Sequence, residues 1–114
     1  LSHEATTSAL HRAALKGEGA RDTALTNLFT GRPARGIVNR AMRELGPISA
    51  VAPAFPLATG AIAPLRAKAE AAGSSDFTPL WSGQNTSGCI KAPAAQITRE
   101  LAAGWAANPA NAGS

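Results

Sequence analysis

The sequence predicts one small domain, mostly α-helical with a short β-hairpin or arm, that leans on a larger body to stay folded. Three observations carry this. Apolar residues recur at helical spacing near the start, in the middle and near the end of the chain. Two extended runs flank a Gly-Arg-Pro break. The available core is also thin: ten Leu, five Ile, two Val and three Phe make just under a fifth of 114 residues, against 27 Ala. A buried Ala removes far less apolar area than a Leu, and stabilisation scales with that area at roughly 25 cal/mol per Å². A chain of this length rules out a large self-contained enzyme and forms one domain that buries roughly two-thirds of its unfolded surface.

Ala5 to Lys16 reads as the first helix, with Leu10, Ala13 and Ala14 on one stripe, Leu15 at its margin, and Gly17 where a left-handed cap is expected. Thr6, Thr7 and Ser8 each suit its N-cap. Gly17 to Arg21 is polar and turn-like. Thr23 to Thr30 and Ala34 to Val38 are the extended runs, broken by Gly31-Arg32-Pro33. In the first run Leu25, Asn27 and Phe29 share one face, and Ala24 and Leu28 the other. Asn39 suits the cap of a brief helix, Ala41 to Leu45, which Gly46-Pro47 stops. Pro47, Pro53 and Pro56 make the next stretch a crossing segment without regular hydrogen bonding. Gly60 to Ala72 is the middle helix, with Ile62, Leu65 and Ala69 on one face and Arg66, Lys68 and Glu70 solvating the rest. Pro64 falls in its first turn if the helix proper starts near Ala63, and Gly73 ends it. Ser74 to Asn85 is a loop holding Phe77, Leu80 and Trp81, and Gln84 to Ile90 a short helix. Pro93 to Trp105 closes the domain as a helix with Ile97, Leu101 and Trp105 at i, i+4 and i+8; Pro93 suits its first position. The domain thus covers 1–107, with a frayed tail over 108–114.

Charge and composition narrow the function classes. No apolar run approaches the roughly 18 residues of a membrane span, and Leu1 to Lys16 lacks the layout of a signal peptide. The expectation is a soluble chain without a membrane partner. A single cysteine, Cys89, cannot close an internal disulfide, which points to the reducing cytoplasm. A packed free thiol is its favoured role. The net charge is only +4, and the basic residues cluster locally at Arg32, Arg35, Arg40 and Arg43, a weaker signal than a basic surface. No catalytic constellation appears, and no metal-ligand spacing: His3 and His11 do not form H-E-x-x-H, and each reads as a plain surface or helix-face histidine.

Two stretches stand out. In Phe29-Thr-Gly-Arg-Pro-Ala-Arg-Gly-Ile-Val-Asn-Arg40 the guanidinium groups suit phosphate, whose geometry they match bidentately. The plainer reading is an arm whose arginines hydrogen-bond carbonyls and carboxylates of a larger body. In Leu80-Trp-Ser-Gly-Gln-Asn85 a glycine between an indole and an amide allows close backbone approach to a flat ligand. There the plainer reading is a Trp that anchors a loop to the core.

Together these stretches carry a resemblance. Thr26-Asn-Leu-Phe-Thr-Gly-Arg-Pro-Ala-Arg-Gly-Ile-Val-Asn-Arg40, then Leu80-Trp-Ser-Gly-Gln84 and a terminal amphipathic helix, resembles the C-terminal part of the nitronate monooxygenase (2-nitropropane dioxygenase) family. The similarity spans roughly Leu1 to Trp105. It implies the C-terminal part of a (β/α)8 TIM-barrel flavoenzyme, with FMN at the C-terminal face of the barrel. The family oxidises alkyl nitronates with O2 to a carbonyl compound and nitrite. The resemblance places the rest of the barrel, the phosphate loop and the catalytic histidine upstream, so His3 and His11 do not take that histidine's role and this segment supplies no catalytic residue. It implies that Trp81, Ser82, Gly83 and Gln84 lie near the flavin or the mouth of the active site. Its partners would be the upstream barrel, a small nitronate and O2, without nucleic acid. Two other readings fit the residues: a related FMN barrel such as an enoyl-acyl-carrier-protein reductase, or a small basic module using Arg32 to Arg43 on a polyanion.

Overall fold

In the computed structural model, which describes residues 1–111, the two extended runs close as an antiparallel hairpin. Strand β1 (Thr23–Thr26) pairs with β2 (Ala34–Ile37), Thr23 opposite Ile37 and Thr26 opposite Ala34. The first run was expected to stay extended to Thr30. It stops at Thr26 because side chains offer the backbone other partners. The buried Thr26 hydroxyl accepts the Leu28 N–H at 3.1 Å. The Asn27 amide clasps Ser49 at both ends, donating to its carbonyl and accepting its N–H, each at 2.9 Å. The turn so formed sends both Leu28 and Phe29 into the core, where strand alternation would have parted them. Gly31 completes the turn at φ +92°. A Cβ there would lie 2.3 Å from the Phe55 nitrogen and 2.6 Å from the Pro53 oxygen, so the proline-rich crossing segment passes over this bare position.

Four α-helices accompany the hairpin, so helix dominates the regular structure. Helix α1 (Ala9–Lys16) begins at its Ser8 cap, whose hydroxyl accepts the His11 N–H at 3.2 Å. It starts later than the expected Ala5 because Ser8, the last of three capping residues, ends the competition for orphan donors. Gly17 is extended at φ −75°, not left-handed, since the chain passes directly into a 3-10 turn, Glu18–Arg21. Ala14, on the expected stripe, and Leu15, at its margin, make the contact with buried Ala20, Ile37 and Leu80.

Asn39 caps α2 (Arg40–Leu45), accepting the Met42 N–H at 3.4 Å. The same buried amide donates to the carbonyls of Ser75 (3.1 Å) and Thr78 (2.9 Å). It therefore ties the helix start to the segment that follows α3. Ala41 and Met42 join Leu28 and Phe29 in the main core cluster, and Gly46, at φ +79°, turns the chain away.

Helix α3 (Leu57–Ala71) starts a full turn earlier than the expected Gly60–Ala63 region, which leaves Pro64 in its interior. Tertiary contacts explain the extension: Ala58 is buried, and the Thr59 hydroxyl donates to the Phe29 carbonyl at 2.9 Å. Pro64 has no N–H for the Gly60 carbonyl, but both residues are exposed and water can serve that oxygen. At the other end Gly73, at φ +77°, donates to Glu70 while Ser74 donates to Ala69, both at 2.9 Å, the paired bonds of a left-handed helix stop.

These elements belong to one compact unit, Ser8–Gly88. Residues 1–7 and 89–111 form a second. There the Ala94 N–H donates to the Glu4 carboxylate at 2.9 Å and the His3 N–H to the Ala92 carbonyl at 3.1 Å. Helix α4 (Ala94–Ala106) starts one residue after Pro93, and its stripe is uncovered: Leu101 is 71% and Trp105 67% exposed. The short helix expected over Gln84–Ile90 does not form. Its polar residues bond locally instead, Ser87 N–H to the Asn85 side chain at 2.9 Å. Pro109–Asn111 makes a single 3-10 turn; the rest of the expected tail lies outside the described residues. Among the described residues no helix is long and apolar enough to cross a membrane.

Two of the positive-φ glycines, Gly46 and Gly31, differ in a testable way. Gly46→Ala should cost about 1–2 kcal/mol, the strain of a left-handed alanine, because its nearest neighbour is 3.5 Å from the added carbon. Gly31→Ala should cost about 2–5 kcal/mol, since a clash with immovable backbone is added. Urea unfolding midpoints of the two variants compare them directly.

Candidate functional site

The site grows from the outer edge of β2. A two-stranded ribbon leaves one edge of each strand unpaired, and buried N–H and C=O groups need partners. The segment Leu80–Ser82 supplies them. The Ile37 N–H donates to the Leu80 carbonyl at 2.8 Å, the Ser82 N–H donates to the Arg35 carbonyl at 3.2 Å, and Gly36 bridges Trp81 in antiparallel register. The two stretches that stand out in the sequence thus lie side by side as neighbouring lanes of one ribbon. Gly36 permits this: a Cβ would stand 3.0 Å from the Leu80 oxygen and 3.4 Å from Trp81 Cε3.

The Trp81 indole meets the Phe29 ring edge to face, with centroids 5.8 Å apart and planes at 86°. Its carbonyl is 2.9 Å from His11 Nε2. A carbonyl only accepts, so the imidazole proton on that nitrogen donates and α1 pins the segment from the other side. His11 was expected to be a plain helix-face residue; it is instead the third tether of Trp81.

Beside Trp81 opens a pocket of about 250 Å³, whose lining includes Phe29, Thr59, Ile62, Arg66 and Pro79. Its single charged wall is Arg66, one helical turn after Ile62 on α3. Arg66 Nε donates to Glu70 Oε1 at 2.7 Å, and the Thr78 hydroxyl, on a residue 2% exposed, donates to the same oxygen at 2.8 Å. These two bonds, with the arginine's charge, hold the Glu70 carboxyl below the usual carboxylate range. A second hollow of about 220 Å³ is lined almost wholly by apolar groups, among them Leu28, Leu45, Val51, Ala58, Ile62 and Leu65.

Of the four residues expected at the site, Trp81 lines the first pocket. Ser82 gives its N–H to β2 and its hydroxyl to the Gly83 carbonyl at 2.9 Å. Gly83 and Gln84 follow in an exposed stretch and line neither hollow; a Cβ at Gly83 would meet nothing within 4 Å. Three of the four arginines of the basic cluster are engaged within the chain. Arg35 donates to the Thr23 carbonyl and hydroxyl at 3.3 and 3.1 Å, Arg32 stands 4.4 Å over the Phe55 ring, and Arg40 donates to Glu44 at 2.8 Å. Cys89 is exposed, not packed as expected: its thiol is left uncovered by the residues around it. Among the described residues no group of three or more His, Cys, Asp and Glu could hold a metal ion. Sequence reasoning left Thr59 and Arg66 out of the site. The available signal was that Arg66 sits at i+4 from Ile62, on the face assigned to the core.

The joined motifs are those of an oxidoreductase family, and comparison with known proteins names it. The family model for nitronate monooxygenase matches residues 1–104, and the chain belongs to that family. It is 37% identical over 102 residues to the nitronate monooxygenase of Pseudomonas aeruginosa, covering 89% of this chain and 29% of that one. It is 34% identical over 84 residues to a probable nitronate monooxygenase of Staphylococcus saprophyticus, covering 74% and 24%. Among solved structures, nitroalkane oxidase from Streptomyces ansochromogenes superposes with a TM-score of 0.77 at 38% identity, covering 90% of this chain and 29% of that one. The chain therefore spans less than a third of the length of these relatives.

Glu70 gives this site a pH signature. Its folded pKa is depressed, so its contribution is present above the unfolded pKa and is lost as pH falls through the folded one. Glu70→Gln should lower stability near neutral pH and flatten the loss that sets in as pH falls below about 5, near the unfolded carboxylate pKa, toward the acid side. Unfolding midpoints across that window read the difference.

Proposed function

We propose that this chain is the C-terminal segment of an FMN-dependent nitronate monooxygenase, a (β/α)8 barrel that oxidises alkyl nitronates with O2 to a carbonyl compound and nitrite. The observation that carries the reading is the Gly36–Trp81 pairing, which gathers both family-like motifs at one ribbon edge beside an open pocket. A barrel upstream is supported by the apolar side chains left uncovered on this unit, Ile48, Leu57 and, at 77% exposure, Val51. Arg32, Arg35 and Arg40 each engage a partner within the chain, which favours an arm set on a protein body over a strip that binds nucleic acid. One exposed, unpaired cysteine suits the reducing cytoplasm.

The residues present fit one edge of a flavin. Trp81 offers a half-buried aromatic wall. Gly83 faces open space, where backbone can approach a flat ring, and the exposed Gln84 amide presents a donor and an acceptor. When bound, FMN supplies the electron chemistry, and the protein binds and orients. In this reading His11, Gly36 and Ser82 hold the segment in place, Trp81 walls the pocket, and Gln84 bonds a flavin carbonyl or a nitro oxygen.

Gln84→Ala in the full-length enzyme should weaken FMN or nitronate binding by roughly three- to tenfold, one net hydrogen bond of about 0.5–1.5 kcal/mol. Melting behaviour should not change, because the side chain is exposed. Trp81→Ala is a poorer probe, since the indole also supports Phe29. If flavin affinity, KM and kcat all survive Gln84→Ala, the Trp81–Gln84 stretch is a structural loop.

A further inference from the structure

We propose that Arg66 is the anion-recognising residue of the pocket beside Trp81, and that it selects the nitronate anion over the neutral nitroalkane. The inference rests on the functional reading above and extends it to a residue outside both motifs. A guanidinium has five N–H donors in a planar fork. Arg66 spends Nε–H on Glu70, which leaves both Nη groups for a ligand. Its side chain is 40% exposed and lines the pocket, so a small molecule can reach it.

The guanidinium is also held in one orientation. Glu70 grips Nε from a turn further along α3, and Thr78, buried, grips the same Glu70 oxygen. Thr78 is fixed in turn by Asn39, which takes its carbonyl at 2.9 Å. Glu70 is thus a positioning residue, and a ligand anion meets an Nη edge already set by a chain of bonds anchored at buried Thr78 and Asn39. The facing walls, Phe29, Ile62, Pro79 and Trp81, are apolar and suit an alkyl group.

A nitronate is planar and spreads its negative charge over two oxygens on one nitrogen, the geometry of a carboxylate. The fork can take both oxygens at once. The nitroalkane from which it forms by loss of a carbon-bound proton has the same two oxygens and alkyl body but no net charge. An apolar pocket alone cannot separate them, whereas a charged donor pair can.

The test uses the full-length enzyme and its Arg66→Ala, Arg66→Lys and Arg66→Gln variants, with propane-1-nitronate and 1-nitropropane as substrates and butyrate as a non-reacting carboxylate probe. Arg66→Ala should raise KM for the nitronate by about ten- to a hundredfold. It should change kcat little and leave the Michaelis constant for the neutral nitroalkane where it was. Arg66→Lys, a point charge without the fork, should fall between wild type and Arg66→Ala. Butyrate binding by calorimetry should be lost in Arg66→Ala and weakened in Arg66→Lys. An unchanged nitronate KM, or equal rises for both substrates, overturns the assignment. If wild type oxidises no nitronate, the functional reading fails; butyrate binding then decides Arg66, its loss in the variants supporting the anion site and its persistence refuting it. Should Arg66→Ala fail to fold, Arg66→Gln, which keeps the stem and a planar head, carries the same comparisons.

Discussion

A bare α-carbon at position 36 lets the chain at Leu80–Ser82 lie against the free edge of β2, and much of the Ser8–Gly88 unit is arranged around that approach. A Cβ there would stand 3.0 Å from the Leu80 oxygen, so the lane would have to give by a few tenths of an ångström at the carbonyl that accepts the Ile37 N–H. The next residue in that lane is Trp81, whose ring meets Phe29 and whose carbonyl joins α1 to the ribbon through His11. The two core clusters sit on either side of the same lane, Leu28, Phe29, Ala41 and Met42 in one and Ala20, Ile37 and Leu80 in the other. A thin, alanine-rich core can be specified this way because main-chain hydrogen bonds fix the spacing that bulky side chains would otherwise set.

Around this lane, polar side chains act as joints between segments distant in sequence. Asn27 clasps Ser49, Asn39 clasps Ser75 and Thr78, and Thr59 reaches Phe29. Each adds a side-chain bond to a main-chain group of a distant segment, and no buried side-chain nitrogen or oxygen among the described residues lacks a partner. Glu70 extends the pattern to a charge, sharing one oxygen between Arg66 and Thr78.

What the sequence revealed was local. The Asn39 cap, the Gly46 and Gly73 stops and the hairpin about Gly31-Arg32-Pro33 each depend on a few neighbouring residues, and all four are found where residue chemistry puts them. The misses are tertiary. Nothing near Leu57 announces a helix start; Ala58 and Thr59 extend α3 through contacts with residues far back in the chain. Periodicity favoured a strand to Thr30, but Asn27 found Ser49. The site shows the same division. Trp81 was visible as an aromatic beside a glycine, whereas Arg66 read as a solvated helix face because Trp81 and Pro79, which line the pocket with it, and Thr78, which bonds its partner Glu70, lie in another segment.

The Gly36–Trp81 contact also makes the two motifs a single heritable unit. A side chain at 36 presses on the lane at 80–82, and a lane set further off would relieve 36. In a distant sequence, then, a match to the arginine-rich stretch alone says little about ancestry or chemistry. A match to both, joined by a glycine in register with the tryptophan, marks a ribbon edge that has been kept whole.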